Sequence, residues 1–255
     1  MKHGDFSTLA SDYSRYRPGY SASVLSAALG LLDVPPAEVD AADIGAGTGI
    51  FSRLLGGRGL RSVTAIEPND DMRQQGVQDS DGTGITWRDS SGEQTGLPSA
   101  SLHLVTTASS FHWMDFERTT IEFHRVLRPG GRLLALWNPR LIETNPLLVD
   151  IEAELRRLVP DLKRVSSGKS EFTATLTENL LASDHFDDVL YLEGRHSRRF
   201  TPEAYLGVWR SVNDVQVQAG PERFAAFLSF IEDRIAGRDV VADYRTVAWC
   251  ARASR

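Results

Sequence analysis

A glycine-rich turn followed by an acidic residue constrains the fold of this 255-residue chain more than any other feature. The turn is the segment Ala42-Asp-Ile-Gly-Ala-Gly-Thr-Gly-Ile-Phe51. Its three glycines, Gly45, Gly47 and Gly49, follow a short apolar run. A second apolar run ends in Glu67, 18 positions after Gly49. In parallel α/β sheets this pattern indicates a nucleoside bound at the carboxyl edge of the strands.

The spacing of the glycines separates two classes of nucleoside. A dinucleotide fingerprint, Gly-x-Gly-x-x-Gly, would place its third glycine at position 50, where this chain has Ile50. S-adenosylmethionine (SAM) carries no phosphate and needs only a close approach to its amino acid and ribose parts. Glu67 can accept hydrogen bonds from both ribose hydroxyls and would repel a 2′-phosphate. The pattern therefore favours SAM, and we expect Asp43 to face its ammonium or sulfonium side.

Strands and helices alternate through the first half of the chain. Short apolar runs predict strands at 39–44, 62–66, 85–87, 102–107 and 133–137. Apolar spacing and capping residues predict helices at 21–32, 50–55, 69–75 and 116–127. Such alternation indicates right-handed crossovers and a parallel sheet. The polar and aromatic residues 5–20 precede it and include Pro18, which cannot continue a helix.

The pattern changes after residue 140. The sequence predicts an amphipathic helix at 145–160, a polar loop at 165–169 and a helix at 177–183. Closing strands are predicted at 189–200 and 244–251, separated by helices near 202–209 and 221–235. We therefore predict an α/β fold with a mostly parallel, seven-stranded sheet and a helical cap insertion. Its parts are one domain over 1–255, a nucleoside-binding core at 21–139, the cap at 140–185 and a closing segment at 186–255.

The charge balance argues against a nucleic-acid partner. The chain has 28 Lys and Arg against 34 Asp and Glu, a net charge of -6, whereas nucleic-acid binders usually present a basic face. The single cysteine, Cys250, excludes an internal disulfide and a multi-cysteine metal site, and no metal is expected. No apolar run approaches the roughly 18 residues of a membrane span, and no signal peptide is recognisable. We expect a cytoplasmic protein without a membrane partner.

With these residues the chain resembles class I SAM-dependent methyltransferases of the type 11 group, which have a Rossmann-like sheet. The matching motifs follow one another in the expected order over residues 11–137. They are Tyr13-x-x-Tyr16-Arg-Pro-Gly-Tyr20, Asp43-Ile-Gly-Ala-Gly-Thr-Gly49, Ala65-Ile-Glu67-Pro-Asn-Asp-Asp-Met72, Glu93-Gln-Thr-Gly-Leu-Pro98, Phe111-His-Trp113 and Arg125-Val-Leu-Arg-Pro-Gly-Gly131. Residues 140–235 resemble the group only loosely, and we expect them to determine substrate choice.

The resemblance implies a cofactor site for SAM. In it the backbone of the glycine turn contacts the methionine and ribose parts, Glu67 holds the ribose and Met72 packs near the adenine. The implied cofactor-binding residues are Gly45, Gly47, Gly49, Glu67, Met72, Ser91, Gly92, Glu93 and Arg17.

Two positions depart from the group. Ser91 stands where an aspartate often receives the adenine amino group, so that Asp89 is an alternative partner. Ser109 stands where the group often has glutamine, two residues before Phe111, which leaves extra room beside the methyl group.

His112 is the candidate catalytic residue. It comes directly after the fourth strand, at the ligand edge of the sheet, and its ordinary pKa suits a general base. The alternative is a structural histidine that hydrogen-bonds the backbone and shapes the SAM pocket. Phe111 and Trp113 could wall the pocket or contact the sulfonium, although one of them is expected in the core.

The N-terminal segment and the residues after the fourth and fifth strands are expected to complete the site. Arg17 would pair with the SAM carboxylate if the N-terminal segment folds over the site, and the alternative is a surface anchor. The predicted substrate-pocket residues are Tyr13, Tyr16, Ser109, Trp113, Asn138 and Arg140.

Three functional hypotheses remain. The first is a SAM-dependent methyltransferase acting on a small molecule in secondary metabolism, with an O-, N- or C-nucleophile or a carboxylate as acceptor. The second is an enzyme of this fold that catalyses a cyclisation or elimination without methyl transfer. The third is a non-catalytic SAM-binding subunit of a hetero-complex. For the first two we expect a monomer or a homodimer.

Overall fold

Seven strands form one sheet at the centre of the protein. The computed structural model describes residues 9–163 and 171–254. Its strands are β1 (Asp40–Ile44), β2 (Ser62–Ile66), β3 (Thr86–Arg88), β4 (Leu102–Ala108), β5 (Leu127–Trp137), β6 (Phe186–Phe200) and β7 (Val240–Ala253). They lie in the order β3-β2-β1-β4-β5-β7-β6. The pairs among β1 to β5 are parallel, whereas β7 is antiparallel to both of its neighbours. The predicted seven-stranded, mostly parallel sheet is confirmed.

Helices cover both faces of the sheet. They are α1 (Ala10–Tyr16), α2 (Ala22–Gly30), α3 (Ile50–Gly56), α4 (Asp70–Asp79), α5 (Phe116–Val126), α6 (Pro146–Leu158), α7 (Glu171–Ala174), α8 (Leu176–Ala182), α9 (Pro202–Arg210) and α10 (Asn213–Ile235). Several begin at a side-chain cap, as where Asn69 accepts from the Met72 amide and Asn145 from the Leu147 amide. No helix in the described ranges has the length and hydropathy needed to cross a lipid bilayer.

The sheet buries a separate apolar cluster on each face. Phe51 and Leu55 of α3 pack on one face together with Leu25 of α2. Phe123 of α5 and Leu180 of α8 pack on the other face. Because each central strand is covered on both sides, the strands consist of nearly continuous apolar runs, which is why they could be predicted from sequence.

A third apolar cluster lies beyond the carboxyl end of β5 and forms a helical layer. Its fully buried members include Ile151 of α6, Trp209 of α9 and Phe227 of α10. The segment predicted as a cap, 140–185, is thus divided in the structure, because α6 belongs to this layer while α8 packs on the sheet. The predicted domain boundaries stay a prediction.

Several elements differ from the sequence expectations, among them α1, α10 and β5. Helix α1 was not expected, and it forms where Tyr16 packs against Gly207 of α9, a contact between distant parts of the chain. Helix α10 begins at Asn213 rather than near residue 221, with a kink at Gly220 (φ 71°) just before Pro221. Strand β5 starts at Leu127, six residues before the predicted start at 133. The predicted loop at 165–169 lies entirely outside the described residues.

Candidate cofactor and acceptor site

A cavity of about 750 Å³ opens at the carboxyl ends of the parallel strands. Residues that directly follow strands line it, such as Gly45 after β1, Glu67 after β2, Ser109 after β4 and Asn138 after β5. The helical layer supplies the facing wall, including Val208. Ligands of open α/β sheets bind at this edge, where the crossovers of neighbouring strands diverge.

The glycine turn needs its glycines for two different reasons. Gly45 has φ 66°, and a Cβ there would stand 2.6 Å from the Ser110 Cβ, so a side chain would be both strained and blocked. Gly49 begins α3 in the left-handed region, with φ 75°, and a Cβ there would stand 2.8 Å from the Trp87 ring. Gly45 and Gly47 line the cavity, whereas Gly49 is buried behind it and sets the geometry of the turn.

Glu67 is a buried carboxylate held at the end of β2 by backbone amides. Its Oε2 accepts from the Gly47 amide and its Oε1 from the Asn69 amide, each at 2.8 Å. Burial raises the pKa of Glu67, and these two amides oppose that shift. Each oxygen keeps a further lone pair toward the cavity, as two neighbouring ribose hydroxyls require. The turn and Glu67 therefore fit the nucleoside of SAM.

Asp43 supports the turn from below instead of facing a ligand. Its Oδ2 accepts from the Ser52 hydroxyl at 2.6 Å, and its Oδ1 accepts from the Thr106 hydroxyl at 2.8 Å. It is fully buried and is not among the residues that line the cavity. Burial raises the pKa of Asp43 to about 6. The carboxyl group joins β1, α3 and β4 under the cofactor site.

The loop after β3 closes the opposite end of the cofactor site. The predicted residues Met72, Ser91, Gly92 and Glu93 all line the cavity here. The Glu93 carboxylate accepts from the Asp115 amide at 3.0 Å. Although burial opposes it, this bond helps to lower the pKa of Glu93.

The alternative partner for the adenine, Asp89, is exposed and turned away. It pairs with Arg73 at 3.3 Å and is not among the residues lining the cavity. Ser91 and Gly92 line the cavity where the adenine contact is predicted, and that contact stays a prediction.

The N-terminal segment lies against the cavity and is not a surface anchor, which agrees with the first of the two alternatives given for Arg17. Tyr13 and Arg17 line it, with the Arg17 guanidinium 4.9 Å from the Tyr13 ring centre. Arg17 Nη2 donates to the Ser211 carbonyl at 3.1 Å, while Nε is buried without a hydrogen-bond partner among the described residues. Tyr16 lies elsewhere, since its ring packs on Gly207 and its hydroxyl donates to Glu203 at 2.7 Å.

Ser109 holds an uncommon backbone conformation at the end of β4. Its φ of 57° lies in the left-handed region, which a serine adopts at some cost. Its hydroxyl stands 3.0 Å from that of Tyr20, which also lines the cavity. Burial of this phenol raises the pKa of Tyr20, so that its hydroxyl stays neutral. Tyr20 was present in a motif but was not predicted as a site residue.

His112 is not brought to the cavity. Its Nδ1 accepts from the indole N–H of Trp137 at 3.2 Å, so its Nε2 carries the proton, and that atom is buried without a partner among the described residues. Burial lowers the pKa of His112 to about 4. The geometry thus favours the structural alternative over the base. Of its neighbours, Phe111 is fully buried in the core, whereas Trp113 lines the cavity.

Asn138 and Arg140 both line the cavity, as predicted. The Asn138 amide is already engaged: it donates to the Gly19 carbonyl at 2.9 Å and accepts from Thr246 at 2.8 Å and His196 at 3.0 Å. It ties the N-terminal segment to the sheet. Arg140 is the more available of the two for a ligand.

Sequence reasoning missed most of the acceptor side. The lining residues there without a motif include Ile142, Glu143, Glu152, Arg156, Val212 and Tyr244. Glu152 and Arg156 belong to α6, and Tyr244 belongs to β7. Ile142 and Glu143 precede α6, and Val212 follows α9. The only signal in the sequence was the amphipathic pattern of 145–160, which predicts a buried face but not what it faces.

The strand order, the glycine turn and Glu67 together define a class I SAM-dependent methyltransferase domain. Residues 42–135 match the family described as a methyltransferase domain, of the type 11 kind. The resemblance inferred from the motifs is confirmed, and so is SAM as the cofactor of the domain. Its glycine cradle and amide-held carboxylate fit that cofactor, as does the open Nε of Arg17.

Curated relatives align with a longer part of the chain than this segment. An uncharacterized methyltransferase of Mycobacterium tuberculosis is 34% identical over 139 residues, 53% of this chain and 52% of that protein. The chain thus spans about half the length of such curated relatives.

Two solved structures share the fold. A protein assigned as a type II methyltransferase from Anaeromyxobacter dehalogenans superimposes with a TM-score of 0.68 at 21% identity, covering 93% of this chain and 98% of that one. A phosphoethanolamine N-methyltransferase of Haemonchus contortus, solved with phosphomonomethylethanolamine and S-adenosylhomocysteine, gives a TM-score of 0.56 at 14% identity, covering 98% of this chain and 58% of that one.

Proposed function

We propose that this protein transfers a methyl group from SAM to a small-molecule acceptor in a biosynthetic, secondary-metabolic reaction. The observation that carries the proposal is the single continuous cavity. It runs from the glycine turn and Glu67, past Ser109, to the helical layer at Arg140 and Val208. A volume of about 750 Å³ suits a cofactor with a small organic partner.

The chain contributes placement more than proton transfer. When bound, SAM supplies an electrophilic methyl group on its sulfonium. Glu67 and the glycine turn would fix the nucleoside, and Arg17 would hold the carboxylate end. Ser109 and Tyr20 present neutral hydroxyls to the middle of the cavity. Alignment of nucleophile, methyl carbon and sulfur can supply a large part of the acceleration of a displacement.

Two further observations support a small acceptor. The net charge of -6 offers no basic face for nucleic acid. The helical layer closes the acceptor side with apolar residues such as Ile142 and Val212. Among proteins of the same fold, the Haemonchus enzyme is seen with a small phosphorylated amine, which is a property of that protein.

Calorimetric titration with S-adenosylhomocysteine tests the cofactor half of the proposal. Glu67→Gln keeps the shape and removes the charge, and we expect it to weaken binding by about 1.5–3 kcal/mol. Asp70→Asn is the matched control, because Asp70 is an exposed carboxylate near the site that pairs with Arg73. Wild-type protein that binds neither SAM nor S-adenosylhomocysteine would exclude the proposal.

Transfer itself is followed with methyl-labelled SAM and candidate acceptors. Label in the product establishes methylation, whereas turnover of an acceptor without use of SAM would show the non-methylating alternative.

A further inference from the structure

Arg140 stands out among the charged residues on the acceptor side of the cavity. Its guanidinium carbon lies 4.7 Å from the Trp209 ring centre and 5.7 Å from that of Tyr205. Its Nη1 donates to the Tyr205 hydroxyl at 3.3 Å. Two aromatic rings of α9 therefore hold the plane of the guanidinium in one orientation before any ligand arrives.

Two polar atoms at this place lack hydrogen bonds. Arg140 Nε and Tyr244 Oη are both buried and make no well-formed hydrogen bond among the described residues, although Tyr244 lies near enough to Arg140 to help raise its pKa. The two residues are neighbours, because their backbones form an antiparallel bridge, and both line the cavity. A buried donor without an acceptor destabilises the free protein, and a ligand oxygen at this position would remove that penalty.

The charge of Arg140 is not cancelled by contact. Glu143, Glu152 and Arg156 line the same side of the cavity. Burial works against the charged form of Arg140, but the Tyr205 and Tyr244 phenols and the Glu152 carboxylate raise its pKa above the ordinary value. Glu152 acts on this pKa through its charge.

We propose that Arg140 anchors a carboxylate of the acceptor, which makes the substrate a small carboxylic acid with an apolar frame. This rests on the proposed methyltransferase function. A guanidinium of fixed orientation pairs with a planar carboxylate through two parallel N–H···O bonds. Ile142 and Val208, which line the same side, would contact the frame of such an acid. The Tyr244 hydroxyl can donate to the same carboxylate.

Paired fragments test this without knowledge of the true substrate. The protein is saturated with S-adenosylhomocysteine and titrated in a calorimeter with 3-phenylpropanoate, octanoate and hexanoate, and with the primary amide of each. We expect at least one acid to bind about tenfold or more tightly than its amide, because a hydrogen bond to a charged group is the stronger one. Equal binding of acids and amides, or no binding of any acid at millimolar concentration, overturns the proposal.

Four variants locate the preference. Arg140→Gln should abolish the preference for the acid, and Arg140→Lys should keep part of it because the charge remains. Arg157→Gln is the control, since Arg157 is an exposed arginine that pairs with Glu154 on the same helix as Arg156. An acid preference that survives in Arg140→Gln, or that is lost in Arg156→Gln alone, contradicts the assignment to Arg140.

Binding of S-adenosylhomocysteine reports separately on the proposed function. Each Arg140 variant should bind it as the wild type does, and this also shows that the variant is folded. Loss of cofactor binding in the wild type would instead remove the methyltransferase proposal on which this inference rests.

Discussion

The two halves of the cavity are built in different ways. The cofactor half consists of backbone amides and glycines at strand ends, and its charged group, Glu67, is held by amides within 20 residues of it in sequence. The acceptor half consists of side chains from α6, α9 and β7, which meet only when the chain has folded. One half is therefore specified locally and the other by tertiary packing. Substitutions in the two halves should differ in what they disturb.

The largest effect is expected from Trp209→Ala in the helical layer. Trp209 is fully buried and packs edge-on against Phe227 with 4.9 Å between ring centres. Loss of such a side chain costs about 3–5 kcal/mol of unfolding free energy, measured by urea denaturation. Tyr191→Ala, at a side chain 51% exposed on β6, should cost far less. If the two halves of the cavity are independent, the folded Trp209→Ala variant still binds S-adenosylhomocysteine. A folded variant that no longer binds it would refute that independence.

A pH series on Asp43→Asn tests the support under the cofactor half. The wild-type carboxyl has its pKa raised from 3.8 to about 6, so the folded state disfavours its ionised form. As pH rises from about 4 to about 6, the unfolded chain ionises first, and this group should lower the unfolding free energy by up to about 3 kcal/mol.

The side-chain amide in the Asp43→Asn variant cannot ionise, so that the difference in stability between variant and wild type should grow in favour of the variant across this range. A difference independent of pH would show that Asp43 titrates normally. Asp70→Asn, at an exposed position, is the control.

Gly45→Ala and Gly59→Ala separate backbone strain from blocked space. Both glycines have positive φ, 66° and 70°, but only at Gly45 would a Cβ meet another group, at 2.6 Å. Gly59→Ala should cost about 1 kcal/mol of stability and leave cofactor binding unchanged. Gly45→Ala should cost about 2 kcal/mol and also abolish measurable binding. Equal cofactor affinity in the two variants would break the assignment of the glycine turn to the cofactor.

The smallest effect on catalysis is expected from His112→Asn, because this residue does not line either half of the cavity. If His112 were the base, turnover would fall about 10²–10⁴-fold. Since its Nδ1 is bonded to Trp137 and it does not line the cavity, we expect less than a roughly tenfold change and a loss of about 1 kcal/mol in stability. A large fall in kcat, with loss of the acidic limb of the pH–rate profile, would restore the base role.

The same contrast explains what could be predicted from sequence. Strands β1, β2 and β4 were placed within a residue or two because buried parallel strands are continuous apolar runs. Gly45 and Glu67 were identified because their roles depend on local geometry. Helix α1 was not predicted, since Tyr16 is buried by residues far away in sequence, among them Gly207.

The acceptor side could not be predicted for the same reason. Arg156 and Tyr244 belong to no motif and meet the cavity only through the packing of α6 and β7. His112 shows the converse, because a position at the correct strand end does not determine which way the ring turns, and its role as a base stays a prediction. A hydrogen bond from Trp137, on the neighbouring strand, holds the His112 ring in its orientation.

The left-handed backbone of Ser109 bears on how this protein could be engineered. At φ 57° the backbone of a serine is strained, whereas that of a glycine is not, so relief of this strain would raise the thermostability of the protein. Ser109→Gly would relieve the strain but remove the hydroxyl that meets Tyr20. Ser109→Asn tolerates the conformation better and retains a polar group. Heat resistance and turnover are therefore expected to trade against each other at this single residue.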